Sequence, residues 1–96
     1  MKSVLTTPQF DKWFDGLRDS KTKRVIQTRI DRLEEGFYGD YKHLEAGVME
    51  LRIFFGAGYR IYFVERAGEV IILLAGGDKS TQSRDIKKAV ELSRDI

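Results

Sequence analysis

Between residues 50 and 79 the chain alternates apolar and polar side chains along two strand-length runs, punctuated by glycine-rich turns. Leu51, Ile53 and Phe55 alternate with Glu50, Arg52 and Phe54. Tyr59, Ile61 and Phe63 alternate with Arg60, Tyr62 and Val64. Successive side chains leave a strand on opposite sides, so a period of two marks a strand with one buried face. Gly56-Ala57-Gly58 between the runs supplies residues that accept positive φ. Ala67-Gly68 offers a second turn, and residues 70–74 are continuously apolar. A strand covered on both faces reads that way. The segment therefore predicts two consecutive β-hairpins.

With residues 56–58 as the loop, Phe55 faces Tyr59, Phe54 faces Arg60, Ile53 faces Ile61 and Arg52 faces Tyr62. One side of the sheet then holds Leu51, Ile53, Phe55, Tyr59, Ile61 and Phe63 as core. The other holds Glu50, Arg52, Phe54, Arg60 and Tyr62. Arg52 and Arg60 become diagonal neighbours, on the order of 7–8 Å apart. Two guanidinium groups beside two aromatic rings suit a phosphate and a base. With Ala67-Gly68 as a two-residue turn, Tyr62 faces Leu73 and Arg60 faces Ala75. Gly76-Gly77 then leaves the sheet beside Arg60 and carries Asp78 and Lys79 to the same end, with the small residues 75–77 leaving room for a ligand backbone. A one-residue slip would send the arginines to the opposite face.

Plainer roles stand beside these. Charges on a sheet face are commonly just solvated, Asp78 serves as well as a loop or capping residue, and Phe54 and Tyr62 can shield arginine stems. His43 reads as a surface histidine and Trp13 as core. Gly76-Gly77 lacks the spacing of a Walker loop.

The remaining elements follow in order. Residues 2–6 form a short extended segment. Thr7 caps a helix with Pro8 at its first position, and Phe10, Trp13, Phe14 and Leu17 make its apolar stripe. Asp19-Ser20 starts a second helix, with Ile26, Ile30, Leu33 and Phe37 at helical spacing and Gly36 or Gly39 at its end. The short link predicts an αα-hairpin. Residues 41–44 are extended and lead through a turn at Glu45-Ala46-Gly47. Ser80 or Thr81 caps a last helix with Ile86, Ala89, Val90 and Ser93 inward. The fold class is α+β: a small, mostly antiparallel sheet in a single domain over 1–96, in the order strand, two-helix hairpin, three-stranded meander, C-terminal helix.

Composition excludes several chemistries. Without cysteine there is no disulfide framework or cysteine-based zinc site, and the single histidine, His43, rules out a multi-histidine centre within one chain. No cofactor or metal is expected. No run approaches the roughly 18 apolar residues of a membrane span, and no signal-peptide run opens the chain, so a cytoplasmic location is the default. The net charge of +2 says little about partners; the placement of the charges matters more.

Three segments carry a resemblance: Glu50-Leu51-Arg52-Ile53, Gly56-Ala57-Gly58-Tyr59-Arg60-Ile61-Tyr62-Phe63, and Leu73-Leu74-Ala75-Gly76-Gly77-Asp78-Lys79-Ser80. With the order of elements, they resemble the RelE/ParE superfamily of bacterial toxins from toxin–antitoxin pairs, in the addiction-module killer branch related to HigB-like and phage Gp49-like toxins. The resemblance implies a metal-independent mRNA interferase, usually acting on the ribosome, in which a 2′-hydroxyl attacks the adjacent phosphate. It implies phosphate stabilisation by Arg60, with Arg52 and Lys79 as further basic residues and Asp78 beside them. Lys42, His43, Phe54 and Tyr62 make the expected RNA-binding set. The chain lacks the tyrosine or histidine that well-studied members carry near the carboxyl end, so Asp78, Glu50 and His43 stand as candidate bases. The implied partners are a small helix-turn-helix antitoxin, mRNA and the ribosome. A ParE-like gyrase-binding toxin, or an inactive remnant that only binds antitoxin, remains the alternative.

Overall fold

Thr7 and Pro8 open the first helix as their chemistry requires. In the computed structural model, which describes all residues Met1–Ile96, Thr7 Oγ1 accepts the backbone N–H of Phe10 at 3.1 Å, and α1 runs Pro8–Asp15. Asp19 caps α2 (Ser20–Glu34) by accepting the N–H of Lys21. That helix ends in a Schellman turn: Gly36, at φ 91°, donates to Leu33 O and Phe37 to Arg32 O. Phe37 lies beyond the helix and is exposed, not part of the apolar stripe.

Five strands form one sheet: β1 (Ser3–Thr6), β2 (Tyr41–His43), β3 (Met49–Ile53), β4 (Tyr59–Arg66) and β5 (Val70–Gly77). Their order across the sheet is β1-β5-β4-β3-β2. Every pair is antiparallel except β1 with β5. The meander β3-β4-β5 is as predicted, and β5 is indeed an inner strand.

Both hairpin registers differ in detail from the sequence reading. In the first, Ile53 pairs with Tyr59, Arg52 with Arg60, Leu51 with Ile61 and Glu50 with Tyr62. The loop spans five residues, because β3 stops at Ile53 and Gly56 and Gly58 both take positive φ, 55° and 77°. A slip of two residues leaves the faces unchanged. It moves Arg52 from a diagonal position to one directly opposite Arg60.

In the second hairpin the turn takes three residues, with Ala67 and Gly68 at φ 56° and 67°. The register then shifts once more between Phe63 and Tyr62, so Tyr62 pairs with Ala75 and Arg60 with Gly77. Leu74, unpaired at this bulge, faces the same way as Ala75.

The sheet carries a core on each face. Phe10, Ile26, Ile30 and Leu33 of α1 and α2 pack on Leu51, Ile53, Ile61, Phe63, Ile71 and Leu73. Ala89 and Val90 of α3 (Gln82–Arg94) pack on Val48, Tyr62, Val64, Leu74 and Ala75. The face that carries the arginines is thus roofed by α3 over much of its length. Trp13 packs against the first core, as predicted.

Thr81 holds the N-cap position of α3, as one of the two expected residues, but its side chain makes no capping bond there; the side-chain cap comes one turn earlier, from Asp78. Its carboxylate accepts the N–H of Ser80 at 2.8 Å, and a short 3-10 turn, Lys79–Thr81, leads into α3. No helix is long and apolar enough to cross a membrane.

Candidate functional site

The loop between β3 and β4 and the corner after β5 meet at one end of the sheet. The N–H of Lys79 donates to Ala57 O at 3.4 Å. A Cβ built on Gly58 would lie 3.2 Å from Arg60 Nη1 and 3.5 Å from Lys79 Cβ. A groove of about 360 Å³ opens here, lined by Phe54, Phe55, Tyr59, Arg60, Lys79 and the loop glycines.

Arg60 is the most enclosed cation of the site. Its side chain is 11% exposed. Nη1 donates to Gly58 O at 2.6 Å, and Nε lies 3.8 Å from Glu50 Oε2. Lys79 is exposed and forms no ion pair, so its charge is available at the rim. Arg52 faces Arg60 across the ladder but turns its head away: Nη2 donates to Asp40 Oδ1 at 3.0 Å, and it does not line the groove. Arg29 braces that strand end by donating to Arg52 O at 2.7 Å. The structure therefore joins Arg60 and Lys79 and holds Arg52 beside them against a carboxylate.

The predicted aromatic and accessory residues separate. Phe54 is 81% exposed at the groove. Tyr62 is 0% exposed, sealed beneath α3, and cannot stack on a base. Burial and the neighbouring Glu50 carboxylate push its hydroxyl pKa up, so the phenol stays neutral. Lys42 pairs with Glu50 across β2–β3, which places it on the arginine side and in solvent. His43 pairs with Met49 on the opposite side, with its ring edge against Tyr41.

Asp78 is a cap. Hydrogen bonds from Ser80 hold its carboxyl below the usual carboxylate range. Of the three candidate bases, none lines the groove: Asp78 caps a turn, Glu50 is 1% exposed and His43 faces away.

The diglycine has a different task from the one expected. A Cβ on Gly76 would sit 2.1 Å from Trp13 Cε3, and one on Gly77 would sit 1.8 Å from Asp85 Oδ2. The space is filled by the protein itself, with Trp13 on one face and Asp85 on the other. A ligand backbone cannot pass there.

Sequence reasoning missed Tyr59. It packs against the first core as its face predicts, but it is only half-buried, tilts against Trp13 at 6.5 Å and also lines the groove. Its position as the first residue of β4, next to a glycine-rich loop, is the signal that would have found it.

The chain has clear relatives. A family model described as phage-derived protein Gp49-like matches residues 12–94. A Haemophilus influenzae protein to which no function is attached is 45% identical over 93 residues, spanning 97% of this chain and 94% of its own length. Among solved structures, the intact Escherichia coli RelBE toxin–antitoxin complex contains a chain that matches with a TM-score of 0.61 at 12% identity, over 81% of this chain and 96% of that one. A conserved hypothetical protein from Helicobacter pylori matches with a TM-score of 0.55 at 22% identity, over 83% and 97%. At these identities the structural likeness is one of fold, and that fold is RelE-like.

Proposed function

The chain belongs to the Gp49-like family of phage-derived proteins, and from that premise we propose that it is the toxin of a toxin–antitoxin pair and a metal-independent mRNA endoribonuclease of the cytoplasm. The observation that carries this reading is the groove in which an enclosed Arg60 and an unpaired Lys79 stand together. A fixed guanidinium and an ammonium at the rim suit the charge of a phosphorane better than that of a ground-state phosphate.

In the proposed reaction the substrate's 2′-oxygen attacks the adjacent phosphorus and the bond to the 5′-oxygen breaks. The 2′-proton leaves, the 5′-oxygen gains one, and the products are a 2′,3′-cyclic phosphate and a 5′-hydroxyl. Arg60 and Lys79 stabilise the added negative charge. Phe54, exposed beside them, is the ring on which a base stacks. Arg52 and Lys42 add positive potential along the same side of the sheet. Asp78, Glu50 and His43 do not line the groove, so the proposed rate rests chiefly on electrostatics and positioning.

The reading extends to a cognate antitoxin, a small helix-turn-helix protein encoded alongside, and to the ribosome as the setting of cleavage. Mapping RNA 5′ ends after brief induction tests it. Codon-linked cuts are expected on translated mRNA, and none in cells carrying Arg60→Ala. Growth arrest with intact mRNA and inhibited gyrase supercoiling would overturn the nuclease in favour of gyrase binding.

A further inference from the structure

Beneath the groove, three elements bring polar side chains to one point. Glu50 on β3 is 1% exposed. Arg60 on β4 approaches its Oε2 with Nε at 3.8 Å. Gln82, at the start of α3, donates Nε2–H to the same oxygen at 2.9 Å. The Arg60–Glu50 distance is that of an ion pair and too long for a hydrogen bond. Accordingly, the buried Arg60 Nε has no hydrogen-bond partner. The guanidinium is held by one carbonyl, Gly58 O, and by one buried charge.

A guanidinium this enclosed requires a counter-charge close by, because removing it from water is costly. Asp40 is committed to Arg52. Asp78 is bound to Ser80 and acts on Arg60 only from beyond ion-pair distance. Asp85, which faces Gly77 opposite Arg60, accepts from Thr81 and lies beside Arg84. Glu50 remains. Its position at Nε leaves Nη1 on the loop carbonyl of Gly58 and Arg60 among the residues that line the groove.

We propose that Glu50, clamped by Gln82, is a positioning residue: it is the fixed counter-ion that aims Arg60 into the groove, and it is not the general base. Its kinetic consequence rests on the nuclease reading, while the Glu50–Arg60 coupling stands apart from it. A base must meet the substrate's 2′-hydroxyl. A carboxylate sealed under Arg60 and shared with Gln82 does not. Removing the charge leaves Arg60 tethered by a single carbonyl.

Two readouts on the intact protein test the proposal. The first is the NMR signal of the Arg60 side-chain Nε–H, assigned by its loss in Arg60→Lys. The second is single-turnover cleavage of an mRNA, free and bound to programmed ribosomes. Glu50→Gln keeps the side chain's shape and removes its charge. It is expected to shift the Arg60 signal, speed its exchange with solvent, and lower the cleavage rate about 10–100-fold, the scale of a slightly misplaced catalytic group. Substrate affinity changes much less. Gln82→Ala, which keeps the charge, should give the same changes in smaller measure.

An unchanged Arg60 signal in both variants overturns the proposal. So does a rate loss in Glu50→Gln that comes with an unmoved Arg60 signal and the disappearance of an acidic limb from the pH–rate profile, which would make Glu50 the base. If wild-type protein leaves RNA intact both free and on translating ribosomes, the nuclease reading fails. The Arg60 signal then decides the coupling alone.

Discussion

Arg52 stands directly opposite Arg60 across the β3–β4 ladder, yet the two guanidinium groups answer to different carboxylates, Asp40 at 3.0 Å and Glu50 at 3.8 Å. Like charges directly opposite on a sheet repel. Two separate counter-ions allow the pair to persist, and they give the two arginines unequal roles.

Arg60→Ala should therefore lower RNA cleavage by about 100–1,000-fold, the scale of a lost transition-state donor. Arg52→Ala should cost less than about tenfold, because its partly exposed ion pair contributes weakly. Arg60→Lys keeps the charge without the planar fork and should recover little. Single-turnover rates, measured with thermal melts to confirm folding, check this. Equal losses for the two alanine variants would show that the groove is wrongly drawn.

Phe54 and Tyr62 should part company in the same assays. Phe54→Ala removes an 81% exposed ring and should shift stability by less than about 0.5 kcal/mol. It should weaken binding of a non-cleavable RNA by about 1–3 kcal/mol, the worth of one stacked base. Tyr62→Phe removes a buried hydroxyl that lies beside the Glu50 carboxylate without making a hydrogen bond of normal geometry. Stability should hold within about 1 kcal/mol, with a gain as the favoured direction. Denaturant midpoints and fluorescence anisotropy separate the two.

Gly76→Ala should be among the most damaging single changes, because the new methyl meets the Trp13 ring at 2.1 Å. Overpacking of this kind costs about 1–3 kcal/mol or more. Trp13→Leu in the same chain should return part of the loss, and a double-mutant cycle in urea measures the coupling. Strict additivity would mean that the ring is not what confines Gly76.

At the opposite end of the sheet, Lys2 and Tyr38 both donate to Glu65. The hydrogen bond from Lys2 holds the Glu65 carboxyl below its ordinary value and raises that of Lys2. Burial, with the Glu65 hydrogen bond second, raises that of Tyr38. A depressed carboxyl stabilises the fold above its unfolded pKa, about 4.3, and loses that contribution as pH falls through the folded value. Raised lysine and tyrosine values do the reverse: their contributions fade as pH climbs beyond about 10. The stability gap between wild type and Glu65→Gln should be widest near neutral pH and narrow at both ends. A gap that stays level from pH 3 to 7 would remove the cluster from the stability account.

Much of this protein was legible in its residues because local rules governed the outcome. Thr7-Pro8 caps a helix wherever it occurs before an apolar stripe, and Gly36 stops one by accepting positive φ. Alternation along residues 50–63 sorted Leu51, Ile53, Ile61 and Phe63 to one face, and that sorting survived a two-residue slip because the strand period is two. The basic residues at one end of the sheet followed from the same parity.

Tertiary structure decided the rest. Loop length placed Arg52 opposite Arg60, since the conformations of Gly56 and Gly58 depend on what the loop packs against. The bulge at Leu74 set Arg60 against Gly77, and no glycine or other local signal marks Leu74 as its place. The largest change came from α3, which roofs the second sheet face and converts Tyr62 and Glu50 from exposed candidates to buried groups. Which face a terminal helix covers depends on contacts between residues far apart in the chain. Gln82 meets Glu50 only once that covering is made. Sequence alone thus determined the elements, their faces and the cations. Packing determined which cation is held, by which counter-ion, and what room was left for a substrate.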